Sequence, residues 1–463
     1  MSGASPPADP AALGIAEAAR LLHARRLSPV ELVRACLERI ERLDRRLNVF
    51  ITVTAEAALA EARAAEAELA RGRSRGPLQG IPVALKDLVE TGGVRTTGAS
   101  AAFADRIPER DAEVVRRLRA AGAVILGKLN LHELAYGASS VIGYFGAVRN
   151  PWDPGRTAGG SSSGAAVAVA CGLCPGAVGT DTGGSIRQPA AFCGITGLKP
   201  SYGRVSVRGV MPLAPSYDHV GPLARSAEDA ALLLGVMAGP EPVADYGTAL
   251  VESVERVAAL RIGIARAHFF SELDPEITIA LEEAIAVLRT LTAEVREVAV
   301  PAYTDTTLLR AEAWAEHRER ALRTPALLQP ETLRRLRVGA DVGPAAVGEA
   351  RRQLAELRRR AREPFEEVDL VVTPTVAVPP FPVANPPEAT ANLRERELLT
   401  LRNTRPFNAL GLPTVSIPCG FTAAGLPVGM QLTGAPGDDS AVLRLAHAYQ
   451  GATGWHLRRP PLP

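Results

Sequence analysis

Lysine is nearly absent from this chain. Of its 52 basic residues three are lysine (Lys86, Lys128 and Lys199), and the other 49 (52 − 3) are arginine. Arginine keeps its charge inside proteins, whereas a buried lysine can lose its proton and serve as a base. The three lysines that remain all fall between positions 86 and 199. Aromatic residues make up only 4% of the chain, so no pocket of stacked rings is evident, and Trp314, Phe381 and Phe407 are the few candidates for one. The formal charge of +2 gives no compositional argument for a nucleic-acid partner. Five cysteines (Cys36, Cys171, Cys174, Cys193 and Cys419) are an odd, scattered set. They argue against a disulfide framework and point to a reducing compartment, with the cytoplasm as the expected location. The longest uncharged stretch, Thr157 to Thr180, is broken by Gly, Ser and Pro, and no membrane span is expected there. Residues 1–10 lack a charged segment followed by an apolar one and read as a disordered tail rather than a signal peptide.

What the chain has instead is small and hydroxylic. Gly159-Gly160-Ser161-Ser162-Ser163-Gly164 is followed, 24 residues on from Ser161 (185 − 161), by a second cluster around Ser185, in Thr180-Asp181-Thr182-Gly183-Gly184-Ser185-Ile186-Arg187. Between them a short helix and a short strand are expected, near 165–171 and 177–180. Two such turns bracketing one helix–strand unit present hydroxyls beside unbonded backbone N–H groups. Lys86 ends the apolar run Ile81 to Leu85, which reads as a buried strand.

The rest of the chain alternates helix and strand signals. Ser28-Pro29-Val30-Glu31 is a capping box with Pro at the first helical position. Asp111, Ser226 and Asp274 are expected to cap further helices, and Gly122 to end one. Strands are expected near 123–126, 260–265, 294–300, 369–373, 414–418 and 429–432. A mostly helical stretch is expected over 308–362, a loop within the domain at 374–410 that opens on the proline-rich run Pro374 to Pro387, and a last helix over 438–452. This alternation argues for an α/β layered fold with a largely buried sheet.

These motifs resemble the amidase signature family. The likeness rests on Lys86 at a strand end, the two Ser/Gly clusters, Gly197-Leu198-Lys199-Pro200, Gly203-Arg204, Gly411-Leu412-Pro413, Pro418-Cys419-Gly420 and Gly425-Leu426-Pro427-Val428-Gly429, and spans about residues 28–458. It implies a single large α/β/α domain around a central mixed sheet over 11–463, with a signature core at about 80–225. It also implies a homodimer and a cis peptide bond before Ser161. By position Ser185 matches the nucleophile, Ser161 a bridging serine and Lys86 the base. Asp181 and Arg187 match residues that hold the site's geometry, Ser162 is expected to brace the loop, and Tyr136, Gly137, Ala138 and Ser139 match a segment lining the substrate entrance.

The chemistry is coherent by itself. Serine attacks an amide poorly unless its proton leaves as it attacks. None of the seven histidines lies in either cluster, and His132, the nearest, reads as a structural hydrogen-bonding residue. Lys86, kept neutral by burial, would accept a proton from Ser161, which would take one from Ser185. Backbone N–H groups of Thr182, Gly183, Gly184 and Ser185 would hold the oxyanion. Neither cofactor nor metal is expected. Cys171 and Cys174 have metal-pair spacing but no second pair, and read as packed thiols. A phosphate loop is excluded because no lysine follows Gly164.

The expected activity is hydrolysis of a small carboxamide by a stand-alone enzyme. The alternative is the glutamine-hydrolysing A subunit of a tRNA-dependent amidotransferase, which passes ammonia to a partner. The segment 306–339 lacks the Ser-Asn-Leu, Asp-Gly and Arg-Tyr-Gly runs expected of that protein. An idle scaffold relative is disfavoured because all three catalytic positions are intact.

Overall fold

The computed structural model describes residues 9–239, 254–385 and 389–461. Among these residues eleven strands form one mixed sheet: β1 Phe50–Val53, β2 Pro82–Lys86, β3 Val124–Leu129, β4 Gly176–Asp181, β5 Thr196–Lys199, β6 His219–Ala224, β7 Arg261–Ile264, β8 Glu294–Glu297, β9 Leu370–Pro374, β10 Thr414–Phe421 and β11 Pro427–Gly434. Their order is β1-β3-β2-β4-β6-β5-β10-β11-β9-β7-β8. The β2–β3, β2–β4, β7–β8 and β7–β9 pairs are parallel, and the others are antiparallel. With helices layered on it, this is the expected α/β/α arrangement around a mixed sheet. Strands β2 to β6 are buried along their whole length, as apolar or small-residue runs require when both faces are covered.

Local sequence explains most of the helices. Ser28 Oγ accepts from the Val30 and Glu31 amides while Glu31 accepts from the Ser28 amide, starting helix Pro29–Leu47 with a complete capping box. Ser226 caps Ala227–Ala238 through the Asp229 amide, and Asp274 caps Pro275–Leu291 through the Glu276 amide. Asp111 is not a cap. Helix Glu113–Ala120 starts after Ala112 without a side-chain cap, and Asp111 instead accepts from the Gly92 amide. The stretch expected to be helical over 308–362 divides into Thr307–Arg323, Pro330–Ala340 and Pro344–Arg359, each later helix opening on a proline. The segment read as a loop, 374–410, holds two helices, Leu393–Leu401 and Arg405–Ala409. The expected tail lies mostly outside the described residues, but Asp9 pairs with Arg39 and Pro10 opens a short 3-10 helix, so order begins earlier than expected.

All three lysines are completely buried. Lys128 donates to the Val89 carbonyl and to Thr96 Oγ1, both at 2.6 Å, and lies 3.4 Å from Asp87. Lys199 donates to the Pro200 carbonyl at 3.0 Å. The five cysteines are free and buried, and burial pushes the Cys171 thiol up to about 12, as a packed thiol requires. Among the described residues no helix is long and apolar enough to cross a membrane.

Candidate active site

The two Ser/Gly clusters meet above the ends of β2 and β4. Strand β2 delivers Lys86 at its last position, and β4 delivers Thr180 and Asp181. Helix Ser163–Ala170 leaves the first cluster, and helix Arg187–Cys193 leaves the second. The clusters are tied together directly: the Ser162 amide donates to the Ser185 carbonyl at 3.1 Å. Gln188 clamps them further, accepting from the Gly160 amide at 2.7 Å and donating to the Ala138 carbonyl at 3.1 Å. The Gly160–Ser161 peptide bond is cis, as expected.

Lys86 Nζ donates to Ser161 Oγ at 2.7 Å and to Thr180 Oγ1 at 2.8 Å. Burial lowers its pKa from 10.5 to about 7, against the opposing pull of the Asp181 and Asp218 carboxylates. Ser185 Oγ makes no hydrogen bond among the described residues, and the side chain lines a cleft. The amides of Thr182, Gly183 and Ser185 have no acceptor among those residues, so they are free to face an oxyanion. Gly184 departs from the expectation. Its N–H is committed to Asp181 Oδ1 at 2.7 Å, so it shapes the turn at φ +130° instead of lining the hole.

The supporting residues are densely paired. Arg187, fully buried, contacts Asp181 through Nε at 3.0 Å and Nη2 at 3.1 Å, and also donates to Gln431, Asn408 and the Thr404 carbonyl. Burial would raise the Asp181 carboxyl, but Arg187 overrides it and holds the group well below its ordinary range. Ser162 Oγ donates to the Thr180 carbonyl at 3.1 Å, bracing the loop. Sequence reasoning missed Thr180, Gln188 and Asp218; the last accepts from Thr182 Oγ1 at 2.6 Å. A polar residue at a strand end or turn gives no signal of its partner.

The entrance segment is only half as expected. Tyr136 and Gly137 line the cleft, but Ala138 and Ser139 lie behind its wall, where Ser139 Oγ donates to Glu397 at 2.6 Å. His132 is structural, buried, and accepts from the Ser140 amide at 3.2 Å. Trp314, Phe381 and Phe407 do not line the cleft; Phe407 instead stacks on Phe269 in the core. The wall is completed by Ala135 and Leu213, by Thr304, Thr306, Leu309 and Arg310, and by Arg394, Leu398, Leu401 and Arg405. Among the described residues no three His, Cys, Asp or Glu side chains are placed to hold a metal ion.

A family model described as Amidase matches residues 31–443. The chain belongs to the amidase family. It is 40% identical, over 97% of its own length and 98% of the relative's, to the A subunit of glutamyl-tRNA(Gln) amidotransferase from Roseiflexus sp. (strain RS-1). Among solved structures, a crystallised amidase matches with 36% identity and a TM-score of 0.84, covering 95% of this chain and 99% of that one. The peptide amidase of Stenotrophomonas maltophilia matches with 32% identity and a TM-score of 0.83, covering 97% and 98%. The amidase family fixes the reaction class as hydrolysis of amide C–N bonds.

Proposed function

We propose that this chain hydrolyses a primary carboxamide to a carboxylate and ammonia through an acyl-enzyme on Ser185. The observation that carries the reading is the 2.7 Å contact between buried Lys86 and Ser161, in the turn bonded to the Ser185 turn. A neutral amine at that place keeps an N–H for Thr180 and turns its lone pair to Ser161. Lys86 takes the Ser161 proton as Ser161 takes the Ser185 proton, and Ser185 Oγ attacks the carbonyl carbon. The amides of Thr182, Gly183 and Ser185 receive the negative oxygen. The protons return along the same relay to the nitrogen, the C–N bond breaks and ammonia leaves. Water then attacks the ester, losing its proton by the same route, and frees the carboxylate.

Two settings fit this chemistry. Full-length likeness to amidotransferase A subunits supports glutamine as substrate, with the ammonia passed to partner proteins, and it is the setting the curated relatives favour. The departure at 306–339 supports a stand-alone enzyme. Ammonia release by the purified chain, over aliphatic, aryl and amino-acid amides plus glutamine and with Ser185→Ala as control, tests both. Turnover that the variant abolishes establishes the serine amidase. Activity confined to glutamine, and raised by the amidotransferase partner proteins, selects the first setting; turnover of other amides by the chain alone selects the second.

A further inference from the structure

We infer that the cleft selects amides whose acyl part ends in a carboxylate and carries no ammonium group: the monoamides of short dicarboxylic acids. The inference rests on the amidase reading above and names its substrate class.

The cleft wall carries three arginines, Arg310, Arg394 and Arg405. Among the described residues, the buried arginines elsewhere in this fold all have acceptors, Arg225 in the Val169 and Ala170 carbonyls. Arg187 has Asp181, and Arg335 has Glu331 and Glu397, both at 2.8 Å. Arg405, half-buried at the cleft, differs from them. Among the described residues it makes no ion pair and no side-chain hydrogen bond, and its Nε is shut off from water without an acceptor. Burial, then the neighbouring Arg394 cation, lowers its pKa to about 10. A half-buried guanidinium whose Nε is closed off beside like charges gains from an anion that meets its remaining N–H groups. Arg405 also stands at the reacting centre, because a Cβ placed on Gly183 would lie 3.4 Å from its Cγ and 3.6 Å from its Nε. An anion on Arg405 therefore sits close to the turn that carries Ser185.

Among the described residues no aspartate or glutamate lines the cleft. Glu397 lies behind the wall, fully buried and engaged by Arg335, by Arg394 at 3.3 Å and by Ser139. An α-ammonium group, as in glutamine, would face three guanidiniums with no carboxylate to pair with. Glutaramate matches glutamine in carboxylate and amide but lacks that group, and pentanamide has similar length without the carboxylate.

The test measures kcat/KM for ammonia release from glutaramate, pentanamide and glutamine, together with calorimetric binding of glutaramate and pentanamide to Ser185→Ala. Glutaramate is expected to exceed pentanamide by at least tenfold in both measurements, and to exceed glutamine in kcat/KM. Arg405→Gln is expected to shrink the glutaramate-to-pentanamide ratio at least tenfold, chiefly through KM, while Arg405→Lys retains part of it. Equal handling of glutaramate and pentanamide overturns the inference, as does a ratio unmoved by Arg405→Gln in a variant whose melting temperature is unchanged. Glutamine outperforming glutaramate overturns the exclusion of the ammonium group. If glutaramate binds selectively but no amide is turned over, the amidase reading fails while the carboxylate selection stands.

Discussion

Lys86 Nζ lies 2.7 Å from Ser161 Oγ, and no carboxylate makes a hydrogen bond or ion pair with either group among the described residues. With no direct counter-charge, burial dominates and brings the lysine to about 7. Activity is therefore expected to rise with pH through an apparent pKa near 7, because the neutral amine is the working form. Lys86→Arg, which cannot give up its proton, is expected to lose about 10²–10⁴-fold in kcat. A pH–rate profile, with circular dichroism on the variant, checks both. A flat profile between pH 6 and 8 would remove Lys86 from the role of base.

The same depressed pKa has a consequence for stability. The unfolded chain, with its lysine near 10.5, binds a proton that the folded chain has already released above about 7. Stability attributable to Lys86 therefore rises between about pH 7 and 10 and is level below that window. Lys86→Met removes the titration. Its melting temperature is expected to vary less with pH over that range than that of the parent, as measured by differential scanning calorimetry.

Asp181 and Arg187 form a buried pair with 0% exposure on either side chain. Arg187→Met strands the carboxylate and is expected to cost about 3–5 kcal/mol, read from urea unfolding. Because the folded pKa of Asp181 lies below its ordinary 3.8, the contribution of this pair is fully present above that pH. It is lost as pH falls toward the depressed value. The acid-unfolding midpoint of the parent should lie above that of an Asp181→Asn variant compared at equal starting stability, because the variant has no carboxyl at this site to protonate.

The pair of Ser/Gly clusters was legible because backbone demands show directly in sequence: glycines at positive φ, serines on turns, and a lone lysine ending an apolar strand. The capping box at Ser28 was legible for the same reason, since its partners lie within three residues. The arginine wall was not. Arg394 and Arg405 lie on two helices that read as loop, because Pro374 to Pro387 supplies strong turn signals just before them. The approach of Arg405 to Gly183 joins residues more than 200 positions apart in sequence. Strand β1, four residues with no clean alternation, takes its place only by pairing with β3. Gly184 was assigned to the oxyanion hole by its neighbours, but the Asp181 carboxylate that captures its N–H could be placed only in three dimensions.

Gly184 also supplies a sharp test of how the turn is held. Its φ is +130°, and a Cβ there would lie 2.1 Å from Thr404 Oγ1 and 2.7 Å from Thr404 Cβ. Thr404 is itself fixed by donating to the Gly183 carbonyl at 2.7 Å, and it immediately precedes Arg405. Gly184→Ala therefore strains the turn and pushes back its brace. The free amides of Gly183 and Ser185 shift with it, and kcat is expected to fall by about 10²-fold or more, the scale of losing one oxyanion donor. Gly203 separates the two causes. It has a φ of +79° with nothing within 4 Å of its Cβ position, so Gly203→Ala carries backbone strain alone, about 1–2 kcal/mol. Steady-state kinetics beside melting temperatures for both variants decide the matter. Comparable activity loss in both would show that the contact with Thr404 is not what aligns the turn.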